Sequence, residues 1–376
     1  MKNLILENFA RIRRAEITFG DLTVFVGPQA TGKTLVLELM KLVEDRPAIM
    51  SNLKKHGFDW TKTDEFLALY FGEGMSIVWK EKDTRILAHN KEFQLNGRVK
   101  KSPEKVFFIP AQRVLALKDG WPRAFSEYAF GDPYVVKNFS EEIRRFMESG
   151  LGRTGAPIFP QKGRMVQAIR NLLDRSIFWG AELARSKERM RRRLALKVEK
   201  SFLPFMVWSA GQREFIPLLL GLYWLMPSGK KEKRPNVTTV VIEEPEMGLH
   251  PKALEAIMVL LLELMRRGYQ VCISTHSSQI LEMIWALNAI KTDKENGASH
   301  LERLFAIKGL RHVWESAINK TYKVFYFHPE KEEIKVKDIS SLELLEEDEI
   351  EEWGGLTSFT TRASEIVSEI AAKRGS

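Results

Sequence analysis

The chain of 376 residues predicts an α/β fold whose parallel strands carry chemistry at their C-terminal ends. Three observations predict it. The apolar run Leu22-Thr23-Val24-Phe25-Val26 leads into Gly27-Pro28-Gln29-Ala30-Thr31-Gly32-Lys33-Thr34 and then into a helical stretch over 35–42. A second run, Thr239-Val240-Val241-Ile242, ends in Glu243-Glu244-Pro245-Glu246. A third, Val271-Cys272-Ile273, ends in Ser274-Thr275-His276-Ser277-Ser278. Each is a strand-length stretch of residues suited to burial on both faces and closed by polar groups.

The segment 27–34 fits G-x-x-x-x-G-K-[ST] in the strand–loop–helix context that pattern requires. Glycines let the backbone curl until its N–H groups converge on phosphate oxygens, and the helix N-terminus adds positive potential. Gly27 to Gly32 would form the cradle, Lys33 would reach the β- and γ-phosphates, and Thr34 would hold Mg²⁺ through its hydroxyl. A chance Gly/Lys loop is the alternative, and the flanking elements oppose it. The expected ligand is ATP or GTP. At the second strand, Glu243 would support Mg²⁺ or its water and Glu244 would polarise an attacking water, against the plainer reading of an acidic turn. In Trp208-Ser209-Ala210-Gly211-Gln212-Arg213-Glu214, which precedes an apolar helical run over 215–225, Ser209 caps the helix and Gly211 permits close backbone approach. That first turn reads as an anion site or as simple capping. His276 reads as a γ-phosphate contact or as a helix cap.

These four elements, in this order, resemble the ABC-type ATPase heads of the SMC, RecF and OLD group. The resemblance covers 1–45, 105–115 and 205–290, with an opening strand at Asn3-Leu4-Ile5-Leu6-Glu7-Asn8-Phe9. Glu243 to Pro251 looks most like the OLD and RecF-like branch. The resemblance implies a P-loop NTPase of ABC-ATPase type with an antiparallel side-sheet and an inserted helical lobe. It implies ATP and Mg²⁺ as ligands, and two heads sandwiching two ATP molecules. Ser209, Gly211 and Gln212 of one head would then meet the γ-phosphate held by Lys33 of the other, with Glu244 as catalytic base and His276 as sensor. Three positions depart from the family pattern: Glu243 replaces an aspartate, the signature reads Trp-Ser-Ala-Gly-Gln, and His250 stands where a cross-dimer aspartate is usual. Phe107-Phe108-Ile109-Pro110-Ala111-Gln112-Arg113 supplies the glutamine loop, with Gln112 the candidate for Mg²⁺ and the attacking water. Arg113 would bind phosphate or a neighbouring loop, and a bare strand exit is the third reading.

The expected organisation is an ATPase head split between 1–119 and 201–376 around a basic helical lobe at 120–200. The formal charge of +9 is concentrated at 185–200, RSKERMRRRLALKVEK, which has helical composition. The lobe's helices are expected at 141–148 and 165–200. Its Arg191, Arg192 and Arg193 would contact a double-stranded DNA backbone, dock an acidic partner or another copy, or form a solvated face. Lys230-Lys231-Glu232-Lys233-Arg234, between prolines, reads as a surface loop. Strands are expected at 75–80, 85–89 and 92–95, and a helix over 281–287. A hairpin, 323–327 with 333–336, is expected to turn around His328-Pro329-Glu330-Lys331. The acids at 346–352 read as a solvated turn, followed by a helix over 358–373.

No apolar run reaches the ~20 residues of a membrane span, the N-terminus enters a strand at once, and a single cysteine, Cys272, excludes an internal disulfide. A cytoplasmic protein is expected. OLD nucleases carry a C-terminal Toprim domain, and the sequence after 290 is too short for one, so an effector is expected on another chain. That arrangement resembles the stand-alone ATPases of antiphage systems of the PARIS, Septu and retron kinds, and the loop variant and compact lobe lean to the PARIS-type ATPase. The expectation is an oligomer of head-to-head dimers holding a separate effector. The rivals are a RecF-like ATPase working on DNA, a transporter-energising subunit, and a scaffold that binds nucleotide without hydrolysis.

Overall fold

The computed structural model describes residues 1–97, 102–151, 157–188, 191–228 and 232–341. The acidic block at 346–352, the helix expected over 358–373, and Lys230 and Lys231 lie outside the described residues. A 10-stranded sheet runs through the fold. Five of its strands are mutually parallel, in the order Tyr322–Glu330, Leu22–Val26, Gln270–Thr275, Thr239–Glu243, Val106–Ile109. The expected hairpin forms between Tyr322–Glu330 and Glu333–Asp338, but it turns at Lys331 and Glu332, so His328, Pro329 and Glu330 stay in the strand. Its second strand meets Ile12–Thr18 in parallel at Ile334 and Ile12. Beyond it, Ile12–Thr18, Asn3–Phe9, Arg85–Ala88 and Lys91–Glu92 form the antiparallel side, continuous with the main sheet.

Strand periodicity divides the interior into two cores. Leu22, Val24 and Val26 join one apolar cluster and Phe25 the other; Val240 and Ile242 separate from Val241, and Val271 and Ile273 from Cys272. Successive side chains point to opposite faces, so a run apolar at every position needs cover on both. The long helix Lys33–Lys55 packs into one cluster and the helices Ala210–Leu225 and Pro251–Arg266 into the other. Burial pushes the Cys272 thiol up to about 12, which suits a packing role. The first helix outruns its expected end and passes Pro47, because Ile49 and Leu53 beyond the proline are fully buried.

Three sequence expectations are corrected. The stretch 75–80 is a 3₁₀ turn at Met75–Val78, not a strand: Gly74 takes a left-handed φ of 79° and the Met75 N–H returns to the Gly72 carbonyl, leaving Trp79 alone to bridge Phe9. The strand expected at 92–95 stops at Glu92, and Arg46 takes the carbonyls of Leu95 and Gly97 with its guanidinium. The helix expected over 165–200 covers only Gln167–Leu173 and a one-turn π extension at Asp174–Phe178. Trp179 and Gly180, at φ 51° and 82°, end it. The basic segment then forms a three-stranded antiparallel meander, Glu182–Glu188, Arg191–Val198 and Ser201–Pro204. Leu183, Leu194 and Leu196 alternate inward and are buried, and that two-residue period overrides the helix preference of Arg and Lys. The segment 120–200 therefore holds the helix Tyr134–Glu148 and, toward its end, strands of a β meander in place of a second long helix.

Candidate functional site

Parallel register sets the site. Val26 lies beside Thr275, and Glu243 beside Ser274, so three strands deliver the Gly27 loop, the Glu243-Glu244 pair and the Thr275-His276 pair to one sheet edge. Gly27 has a φ of 142°, and a Cβ there would stand 2.6 Å from the Phe327 carbonyl oxygen, so the loop enters against the neighbouring strand where only glycine fits. Ala30 and Gly32 are also left-handed, at φ 59° and 87°, and the Val36 N–H returns to Gly32 to start the helix. The Thr31 hydroxyl closes the curl by donating to the Pro28 carbonyl at 2.8 Å. Pro28, Gln29, Ala30 and Thr31 thus form the crown of the loop and Lys33-Thr34 its base.

Lys33 is buried, and its Nζ donates to the carbonyls of Gly27 and Pro28 at 2.8 and 2.7 Å. Burial pulls the ammonium down to about 8 against the opposing pull of Glu244 and Glu246. A polyphosphate fits this cradle, because the lysine has carbonyl dipoles but no carboxylate in hydrogen-bond contact. Glu243 is buried, with Oε2 accepting the Ala111 N–H at 3.0 Å and Oε1 left without a partner. Burial, with the charge of Glu244, pushes its carboxyl up to about 7, while the Ala111 N–H and the Thr34 hydroxyl hold it down. That unpartnered buried oxygen, on a carboxyl that the Thr34 hydroxyl also approaches, is the donor that a Mg²⁺ held by Thr34 and Glu243 would use.

Glu244 leaves the strand at a φ of 41°, uncommon for a residue with a side chain, with its N–H on the Ser274 carbonyl at 2.9 Å. Its Oε1 lies 3.3 Å from His276 Nε2, and that hydrogen bond holds the carboxyl below its usual range. Arg113 holds the turn. Its guanidinium is fully buried and donates to the carbonyls of Glu243 and Glu244 at 3.0 and 3.1 Å and to that of Glu214 at 3.1 Å. Of the two readings open for Arg113, the neighbouring loop is the one observed. Gln112 is exposed and opens the short turn after the strand. Replacing Arg113 with Met should strip one buried and two half-buried carbonyls of their donor and cost on the order of 3 kcal/mol. A denaturant midpoint equal to that of the native protein would contradict that assignment.

Two further carboxylates belong here. Glu246 accepts the Thr275 hydroxyl and the His276 N–H, each at 2.7 Å, and fixes the His276 backbone. It stands in the quoted acidic run, but spacing alone gave it no role. Glu38 is buried on the loop helix, and burial together with Glu243 drives its carboxyl well up. Its signal was the i+4 spacing from Thr34, which puts both on one helix face.

Ser209, Gly211 and Gln212 are not brought to this edge. They start the helix Ala210–Leu225 in a capping box: the Gln212 N–H donates to Ser209 Oγ at 3.2 Å and the Ser209 N–H to Gln212 Oε1 at 3.1 Å. They line an open cleft of about 440 Å³ with Trp179, Gly248 and His250, to which no residue of the 27–34 loop contributes. Gly211 is in close backbone contact, since a Cβ would lie 3.1 Å from the Gly248 carbonyl. His250 caps the next helix by accepting the Lys252 N–H on Nδ1. Among the described residues no helix is long and apolar enough to cross a membrane.

Comparison with known proteins covers both halves. Residues 1–115 match a family profile described as an AAA ATPase domain. Residues 130–282 match one described as "AAA domain, putative AbiEii toxin, Type IV TA system". The Old nuclease of Escherichia phage P2 is 32% identical over 94 residues, which are 25% of this chain and 16% of the nuclease. The SMC head domain from Thermotoga maritima aligns over 90% of this chain and 98% of its own, at 13% identity and a TM-score of 0.39. An SMC head bound to the C-terminal winged-helix domain of ScpA aligns over 90% and 97%, at 8% identity and a TM-score of 0.43.

Proposed function

Because the chain belongs to the ABC-type ATPases of the SMC, RecF and OLD group, we propose that it binds and hydrolyses ATP between two copies of itself and that this cycle gates a larger assembly. The observation that carries the proposal is the division of the site. Lys33, Thr34, Glu243, Glu244 and His276 meet at one sheet edge, while Ser209 and Gly211 open on a separate cleft. A second copy would close the gap, its helix N-terminus bringing positive potential to the γ-phosphate only when nucleotide is present.

In this reading the head is split between 1–119 and 201–376 around the insert 120–200. Lys33 leaves the Gly27 and Pro28 carbonyls for the β- and γ-phosphates. Thr34 and Glu243 would hold Mg²⁺, and Gln112, exposed at the strand exit, would be the further group for the ion and the attacking water. Bound Mg²⁺ supplies positive charge across the phosphates. Glu244, kept ionised by His276, accepts the proton of the attacking water, and His276 reads the γ-phosphate. Arg113 and Glu246 act as positioning residues through the backbones of 243–244 and 276. Ser209 and Gly211 of the second copy contact the γ-phosphate, and Gln212 shapes that turn through its cap. The decisive experiment is the mass of the Glu244→Gln variant with and without ATP–Mg²⁺.

The assembly fits an antiphage sensor of the kind that holds a separate effector, as in PARIS-type systems. Support comes from the toxin–antitoxin description of the profile over 130–282 and from the likeness to a phage nuclease. A second reading, a repair or recombination ATPase on double-stranded DNA, draws on one feature. Arg192 and Arg193 of the meander border a cleft of about 390 Å³ with Lys118 and Arg123, although Asp119 and Glu127 stand in the same wall. If DNA phosphates bind there, Arg192→Gln with Arg193→Gln should lower the slope of log affinity against log salt by about 2. An unchanged slope would remove DNA from the role of this cleft.

A further inference from the structure

Trp179 is the most exposed large apolar side chain among the described residues, at 80%. It is also held in a left-handed backbone conformation, φ 51° and ψ 47°, which bulky residues rarely adopt. The protein fixes it there: the Trp179 N–H donates to the Asp174 carbonyl at 2.6 Å and the Gly180 N–H to Asp174 Oδ1 at 2.9 Å. The turn is tied to the signature, since Gln212 Nε2 donates to the Ile177 carbonyl at 3.4 Å. Trp179 also lies between two clefts. One is the 440 Å³ cleft of Ser209 and Gly211; the other, of about 710 Å³, continues past His250 and Lys252 to Phe305. Ser176, Trp179 and His250 line both. Backbone strain persists where the surroundings impose it, and it clusters at ligand sites. An indole fixed beside a triphosphate-contacting turn offers a flat face to whatever extends from that triphosphate.

We propose that Trp179 is a stacking platform for the nucleobase of the ATP carried by a second copy of the chain. The proposal rests on the two-copy reading above. The signature turn meets the γ-phosphate end of that nucleotide, and Trp179, on the adjoining wall, meets the base. Every base presents a π face, so the contact adds to assembly, and a purine gives the larger overlap. No residue of the 27–34 loop lines either cleft beside Trp179, so in this proposal the residue acts only once two copies meet.

The test uses the full chain in the Glu244→Gln background, with dimer dissociation constants from sedimentation in ATP–Mg²⁺ and in UTP–Mg²⁺. Adding Trp179→Ala should weaken the ATP dimer by about 5-fold or more and the UTP dimer by less, with nucleotide affinity of the dilute single copy unchanged. Trp179→Phe should restore most of the ATP effect. An ATP dimer of unchanged strength, an equal loss with both nucleotides, or a fall in single-copy affinity would each overturn the proposal. Failure of the Glu244→Gln parent to dimerise in ATP would instead remove the two-copy reading, and this inference with it.

Discussion

Lys33→Ala will lose nucleotide-dependent activity, with ATP turnover reduced about 10²- to 10³-fold, the usual cost of removing a pre-aimed charge from a phosphoryl-transfer site. The geometry gives the reason. The lysine Nζ is buried among the Gly27 and Pro28 carbonyls, and no other cation is provided by the loop. Removing it leaves the backbone cradle but takes away the one charge that the loop aims at the β- and γ-phosphates. The variant should nevertheless fold well. Burial lowers the Lys33 pKa from 10.5 to about 8, so folding works against its charged form. Between about pH 8 and 10.5 the unfolded chain binds more protons than the folded one, and this group then adds stability as pH rises. Lys33→Ala lacks that increment, and below pH 8 it should be at least as stable as the native chain. Turnover close to native, measured by phosphate release with Mg²⁺, would remove the loop from the active site. Lost turnover together with a collapsed unfolding midpoint would assign Lys33 a structural role.

The parts of this fold legible in the sequence are those where one local signal determines one outcome. Strands Leu22–Val26, Thr239–Glu243 and Gln270–Thr275 read correctly because each carries consecutive apolar residues that fall on both faces, a pattern that burial on both sides of a parallel sheet demands. The strand–loop–helix form around 27–34 was legible because glycines stand at fixed places between an apolar strand and a helix, an order that depends little on distant contacts. The basic meander misled because Arg and Lys are good helix formers, while Leu183, Leu194 and Leu196 follow a two-residue period. Only the tertiary core chooses between those two signals. Arg113 illustrates a second limit. Its partners are the carbonyls of residues 243, 244 and 214, about 100 or more positions away, and carbonyls have no sequence signature. Glu38 and Glu246 fall between these cases, since their spacing from Thr34 and Glu244 is readable but their burial is not.

Glu244→Gln should separate binding from hydrolysis. The native carboxylate is kept below its usual pKa mainly by the hydrogen bond from His276, so it is ionised at neutral pH and ready to accept a proton. Glutamine keeps the size and the acceptor oxygen facing His276 but has no basicity, and turnover should fall about 10²- to 10⁴-fold, the range for loss of a general base. The left-handed φ of 41° is set by the Arg113 guanidinium and the Ser274 carbonyl, which act on the backbone, so the substitution leaves the turn in place. Binding should survive because Lys33, Thr34 and Glu243 are untouched. The amide also withdraws one negative charge from beside the γ-phosphate, which favours the nucleotide-bound state. With hydrolysis blocked, copies that close on ATP should stay closed. Gel filtration with light scattering should then show a mass at least doubled in ATP–Mg²⁺, reverting when nucleotide is removed. Introducing Lys33→Ala into the same chain should abolish the shift, because assembly then lacks its ligand. A Glu244→Gln chain that binds ATP and elutes at an unchanged mass would show that one copy suffices. The open cleft at Ser209 and Gly211 would then need an occupant other than a second nucleotide-bound head.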